Sequence, residues 1–394
     1  MKLALMLAVA VAFVQDKKEP GQPHPRVPQD KVDRAIKEGV EFLKTAKLGT
    51  TKHGDRDIKW DELVLWTYLH AGMAETDPAF VKLFKPMIEG DLERTYSVAL
   101  QAMILEELDR VKYQWRIQQC AQFLVDNQCK NGQWSYGDPT PSVKDTPSGG
   151  GGEKQDVATG KDAKERKKGP KPKVIKVVTV QKKREGPDRG DNSNAQYAAL
   201  GLRACNDAGV RIPNAVLQLG ARWWRDSQHV EEEPRQGYPS AGWCYGAKDH
   251  GHEAYGSMTA GAAGALVIYD HLLNDDWRKD KDVQAGATWV AKHFTVSENP
   301  GPCEHGGGKP EVFLYYWLYA LERLGMLMGT EFFGGHEWYP DGALWLLDHQ
   351  AKDGSWNATG ANGANKVWDT CFAILFLRRA TRPLEDVATG KPAK

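Results

Sequence analysis

The chain has 394 residues, 41% of them hydrophobic, with 52 Lys and Arg balancing 52 Asp and Glu. A formal net charge of zero argues against a general nucleic-acid binder, and no apolar run approaches the roughly 18 residues that span a bilayer. The length would hold two average domains or one large helical array.

Lys2 followed by the apolar stretch Leu3 to Val14, with an A-x-A cleavage candidate at Ala10-Val11-Ala12, predicts a signal peptide over 1–14 and an exported protein. A short lipid-associated anchor or a frayed terminus is the alternative. A disordered segment is expected over 15–30. From residue 31 two kinds of helical segment alternate. Amphipathic ones run over Val32 to Ala46, Pro78 to Glu89, Tyr113 to Asn127, Pro213 to Ser227, Val283 to Phe294 and Tyr339 to Gln350. Segments apolar nearly all round run over Ile58 to Ala71, Tyr96 to Leu108, Ala195 to Asn206, Ser257 to Leu272, Val312 to Leu324 and Thr370 to Arg379. A helix with one polar face belongs outside and one without belongs inside, so six outer-inner pairs are expected over 31–380. The array is interrupted over 137–190 by Pro, Gly, Lys and Asp, which predicts a disordered basic insert. Within it Val174 to Val180 is a candidate strand or hairpin arm. The insert reads as a solvated linker, with contact to an anionic partner as the sharper alternative. The last residues, 381–394, are expected to be a disordered tail. Six cysteines permit disulfides, but a chain of this length can bury a core without them.

One pattern recurs at three helix ends: Gln128-x3-Gly132-x-Trp134, Gln350-x3-Gly354-x-Trp356, and a stretched copy from Gln228 to Gly242-Trp243. Gln can bond free backbone groups at the helix end, Gly takes a left-handed turn and Trp packs across to the next element. These residues resemble the QW motif of the squalene-hopene cyclase and protein prenyltransferase superfamily. The resemblance implies an all-α fold, an α/α toroid of six outer-inner helix pairs, and an isoprenoid-like apolar ligand in a central cavity.

In such a ring the starts of all inner helices surround one mouth. The ligand-binding candidates are therefore Trp60, Asp61, Tyr96, Asp191, Ser193, Tyr255, Ser257, Tyr315, Tyr316, Trp368 and Asp369. In protein prenyltransferase β subunits an Asp-x-Cys at an inner-helix start holds zinc with a His from another inner helix. Asp369 and Cys371 match that spacing, and His252 or His305, or His53, would have to complete the set from a loop. The plainer reading makes Asp369 a helix cap and Cys371 a small packing residue, with no cofactor expected. Asp191 to Asn194 likewise reads as a cap or as a polar wall. The Asp-x-Asp-Asp acid of squalene-hopene cyclases is absent from the sequence. Three functions follow: an isoprenoid-binding or isoprenoid-transforming toroid, a non-catalytic toroid binding protein or glycan, and a polysaccharide lyase or hydrolase. Membrane association is not required by any of them.

Overall fold

The computed structural model describes residues 23–48, 51–53, 56–141, 171–232, 237–246, 253–302, 312–358, 365–386 and 391–392. The signal-peptide candidate, His252 and His305 lie outside them, and of His53 only the backbone is described. Among the described residues there are twelve α-helices. The odd-numbered ones are α1 (Gln29–Thr45), α3 (Pro78–Glu89), α5 (Gln114–Asp126), α7 (Asn214–Ser227), α9 (Lys281–Lys292) and α11 (Trp338–Asp348). The even-numbered ones are α2 (Asp61–His70), α4 (Thr95–Asp109), α6 (Asn192–Asp207), α8 (Gly256–Leu273), α10 (Leu314–Met328) and α12 (Lys366–Arg378).

The even-numbered helices touch in the order α2, α4, α6, α8, α10, α12 and back to α2, which closes a ring. The odd-numbered helices pack outside it, and no helix is long and apolar enough to cross a membrane among the described residues. The fold is thus an α/α toroid, as the alternation of amphipathic and apolar segments implies. The inner helices are buried along nearly their whole length because neighbours press on several sides. Gly261 on α8 shows how closely: a Cβ there would lie 2.2 Å from Gln196 Oε1 on α6.

The three Gln-Gly-Trp turns work in part as the sequence implies, since Gln350 Nε2 donates to Gly354 O in its own turn and the Trp243 and Trp356 rings lie against Gly286 and Gly39 of the next outer helices, but their Gln side chains also reach further. Each Gln leaves its own helix end and donates to a carbonyl near the start of the next outer helix. Gln128 Nε2 reaches Val216 O on α7 (2.8 Å), Gln228 Nε2 reaches Asp282 O on α9 (2.9 Å), and Gln350 Nε2 reaches Ala35 O on α1 (2.8 Å). Each Trp folds back on the helix it follows: Trp134 Nε1 donates to Leu124 O, Trp243 Nε1 to Trp224 O and Trp356 Nε1 to Leu346 O, at 2.7 to 2.9 Å. All three indoles are fully buried. At Gly132 (φ 96°) and Gly354 (φ 82°) a Cβ would also lie 2.4 Å from a carbonyl of the next outer helix, so glycine is required twice over. The stretched third copy is explained by an antiparallel hairpin, His229–Glu232 with Ser240–Gly242, that fills its spacer.

Where α3 meets α5 no such turn exists, and a buried arginine substitutes. Arg116 Nη2 donates to Gly90 O (2.7 Å) and Met87 O (3.2 Å), satisfying carbonyls at the end of α3.

Two segments expected to be disordered are in part bound to the ring. Residues 142–170 of the insert lie outside the described residues, but 171–190 run along α5 toward α6. Val178–Thr179 pairs in parallel with Val210–Arg211, Gln122 Nε2 donates to Gln181 O (2.7 Å) and Lys183 N donates to Asp126 Oδ1 (2.7 Å). At the inner-helix C-terminal ends Lys171 pairs with Glu106 and Glu107, and Arg203 donates to the carbonyls of Arg382 and Pro383. Composition reads such residues as solvated, whereas here they supply charge partners and acceptors to buried Glu106, Glu107 and Arg203, beside the pairs Glu106–Arg110 and Arg203–Asp207 within the helices. The segment before α1 is also engaged: Val27 is buried and Arg26 pairs with Glu337 and Asp341 of α11.

Candidate functional site

Every inner helix begins at the same end of the ring, and the sequence-derived candidates separate there into two groups. Trp60, Asp61, Tyr96, Asp191, Ser193 and Trp368 are half-buried and line the mouth. Tyr255, Ser257, Tyr315, Tyr316 and Asp369 are buried.

A hydrogen-bonded chain crosses the mouth. Asp191 caps α6 by accepting from Asn194 N (2.7 Å), as one reading of the sequence has it, and its Oδ1 also accepts from Ser193 Oγ at 2.8 Å. Ser193 Oγ in turn lies 3.2 Å from the Tyr245 hydroxyl and reaches the Tyr96 hydroxyl. Tyr96 and Tyr316 then share a hydrogen bond at 3.0 Å. Since α4 and α10 stand three places apart in a ring of six, that bond spans its diameter.

Below it the axis is filled. Trp66 Nε1 donates to the Tyr319 hydroxyl (3.1 Å), Phe372 packs on Tyr316 and Tyr319 with ring centroids 5.4 and 5.7 Å away, and Arg323 lies 4.4 Å over the Tyr319 ring and 5.3 Å over Tyr197. Cation–π contact lowers the energy of that buried guanidinium.

At the rim Trp60 and Trp368 lie with ring centroids 4.1 Å apart, tilted by 44°, beside Asp61 at the first turn of α2. The next residue, Glu62, is one the sequence reading passed over. Its carboxylate accepts from Ser97 Oγ (3.1 Å) and Gln101 Nε2 (3.4 Å), and burial raises its pKa above the ordinary carboxylate value. A charged residue in the first turn of an otherwise apolar inner helix is the signal that could have found it. Tyr245 was missed because it follows a hairpin whose course the sequence does not display.

Asp369 and Cys371 are both buried in the first turns of α12. Asn365, not Asp369, caps α12, because the helix starts a turn earlier than expected; Asp369 reaches back to accept from Ala358 N at 2.9 Å. Burial brings the Asp369 carboxyl up to about 7 and the Cys371 thiol up to about 12. Among the described residues no three or more His, Cys, Asp or Glu side chains gather as metal ligands, and Cys120, Cys129, Cys205 and Cys371 are free thiols. Ser257 is committed to Asn299: its N–H donates to Asn299 Oδ1 at 2.9 Å, and its Oγ accepts from Asn299 Nδ2 at 3.3 Å. Tyr315 packs on Trp345 of α11.

No family model and no curated protein match the chain. Among solved structures it is similar to a possible member of the GH105 family from Salmonella enterica, at 10% identity and TM-score 0.54 over 91% of this chain and 95% of that one. It is also similar to the GH76A alpha-1,6-mannanase from a Salegentibacter species, at 8% identity and TM-score 0.51 over 89% and 98% of the two chains. The type II terpene cyclase MstE from Scytonema aligns at 11% identity over 89% and 98% of the chains, with a TM-score of 0.32. The first two likenesses show the shared α/α toroid, so the sequence's resemblance to terpenoid cyclase-like toroids holds at the level of the fold.

Proposed function

We propose that this toroid binds a hydroxyl-rich ligand of the glycan kind at its mouth. The observation that carries this reading is the Tyr96–Tyr316 bond across the ring, above an axis filled by Tyr197, Tyr319, Phe372 and Arg323. An isoprenoid would need a deep apolar cavity, whereas the mouth offers hydroxyls, carboxylates and a half-exposed tryptophan pair. Aromatic faces stack on sugar C–H surfaces while Asp191, Ser193 and Tyr245 suit sugar hydroxyls. The glycan alternative is thereby favoured over the isoprenoid one, and no cofactor enters it. An exported location is part of the proposal, resting on the Leu3 to Val14 stretch; cell fractionation that leaves the protein in the cytosol would remove that part.

Titration calorimetry against a panel of oligosaccharides tests the binding. Trp368→Ala is expected to weaken the best ligand by about tenfold, matching the loss of about 1.4 kcal/mol of stacking and burial. Binding of geranylgeraniol in place of every oligosaccharide would overturn the reading.

One observation favours a hydrolase or lyase built on the same mouth: Glu62 retains its proton more readily than an ordinary carboxyl, as a general acid does. If it donates that proton, Glu62→Gln lowers turnover of a bound glycan by about 10²-fold or more while leaving its affinity within twofold. Equal turnover in the variant would leave a binding module.

A further inference from the structure

Arg323 presents a problem that the proposed mouth does not solve. The residue is 3% exposed, and its guanidinium makes no ion pair with a carboxylate among the described residues, although neighbouring Glu322 acts on it electrostatically. Neighbouring Glu322 accepts from Thr381 N (2.9 Å) and Thr381 Oγ1 (2.8 Å). Arg323 Nη2 donates to Gln196 Oε1 at 2.7 Å, but Nη1 is buried and meets no hydrogen-bond partner. A buried cation with an empty donor is unfavourable unless something supplies charge and an acceptor.

Beside it, between α6, α8 and α10, lies a void of about 10 Å³. Its wall is aliphatic, with Leu200, Ala265, Ile268 and Leu327, and with Gly264 bare of a side chain; Gln196 and Arg323 are its only polar side chains. Gln196 Oε1 is taken by Nη2 and one Nε2 hydrogen is directed at Met258 Sδ (4.0 Å), so the side-chain groups left are Arg323 Nη1 and the second hydrogen of Gln196 Nε2, and both are donors. A void of this size holds one small body. Water would satisfy the donors but would turn its own hydrogens toward aliphatic carbon and add nothing to the partial charge compensation that Glu322 and the tyrosine rings supply. A monatomic anion accepts from both donors and neutralises the guanidinium. The geometry points to a buried halide site, occupied by chloride, with Arg323 Nη1 and Gln196 Nε2 as its donors. The flexible tip of Leu327 can yield the extra radius that chloride needs over water.

The site lies directly beneath the tyrosines that close the mouth, since Arg323 is 5.9 Å from the Tyr316 ring. It is independent of what the mouth binds and is tested without a glycan.

The measurement is chloride-35 NMR linewidth on the full chain as sodium chloride is titrated. Saturable broadening reversed by bromide is expected, and thermal unfolding should rise by about 2 °C in chloride over gluconate at equal ionic strength. Removing Arg323 can unfold the core, so the deciding variant is Gly264→Ala. Its new methyl lies on the void wall, 3.3 Å from Leu327 Cδ1, a contact that a small shift of the leucine accommodates. The variant should keep its circular dichroism and lose chloride affinity at least tenfold. Broadening that never saturates, or that Gly264→Ala leaves unchanged, would overturn the site. So would bromide-soaked crystals with no anomalous peak beside Arg323, which would leave water as the occupant.

Discussion

Trp356→Ala is expected to destabilise the protein by about 3–5 kcal/mol, the usual range for deleting a buried tryptophan. The indole is fully buried and its N–H is bonded to Leu346 O. Its ring also lies against Gly39 of α1, where an added Cβ would be 3.0 Å from Trp356 Cζ3. The substitution therefore opens a cavity where α11, α12 and α1 meet, and leaves Leu346 O without its donor. Gln350→Ala removes the bonds from its Nε2 to Ala35 O and Gly354 O and should cost about 1–2 kcal/mol. Urea unfolding followed by circular dichroism measures both. A Trp356→Ala midpoint within about 1 kcal/mol of the parent would mean that this junction is not a structural clasp.

The second large effect is a dependence of stability on pH. Burial raises the carboxyls of Glu322 and Asp369 to about 7 each. Both pKa values are above those of the unfolded chain, so the folded state favours the protonated forms. The stabilisation is complete below about pH 4, declines as pH rises toward 7, and is lost above it. Each group is expected to remove about 2–3 kcal/mol between those limits. Glu107 works in the opposite sense at lower pH: burial opposes its charge, but Lys171 and Arg382 hold it at about 2, so its contribution fades as pH falls from about 4 toward 2. Maximal stability is therefore expected near pH 4.5. Glu322→Gln keeps an acceptor for Thr381 N and should flatten the decline, gaining about 2 kcal/mol at pH 8. Thermal unfolding between pH 4 and 8 that shows stability rising with pH, or the same slope in the variant, would refute the assignment.

Much of the architecture was legible because helix burial writes itself into composition. The small-residue run from Gly256 to Ala265 and the apolar stretch around Trp317 announce inner helices, and the polar face of α7 announces an outer one. The turn motif marked three junctions and the local bond from Gln350 to Gly354 O, yet not the bond from Gln350 to Ala35, which is a property of closure and not of local sequence. The strap over 171–190 was hidden for a related reason. Lysines and prolines read as solvated until Glu106 and Glu107 are seen buried opposite them. Asp61, Tyr96, Asp191 and Ser193 could be named because they sit at helix starts. Glu62, Tyr245 and Arg323 could not be ranked, since their roles depend on what faces them from other helices.

The bond between Gln350 and Ala35 joins residues 315 positions apart. A linear solenoid can grow repeat by repeat from either end, each addition stabilised by its neighbour. A ring offers no such gradual completion: its last junction requires the first helix to wait for the eleventh. During synthesis, α1 would emerge with its partner face exposed until nearly the whole chain had been made. Truncation just before α11 should consequently leave the first helix as a site for chaperone capture or for exchange with another chain. The vulnerable state of this protein is thus a nascent one, open at both ends of an unfinished circle.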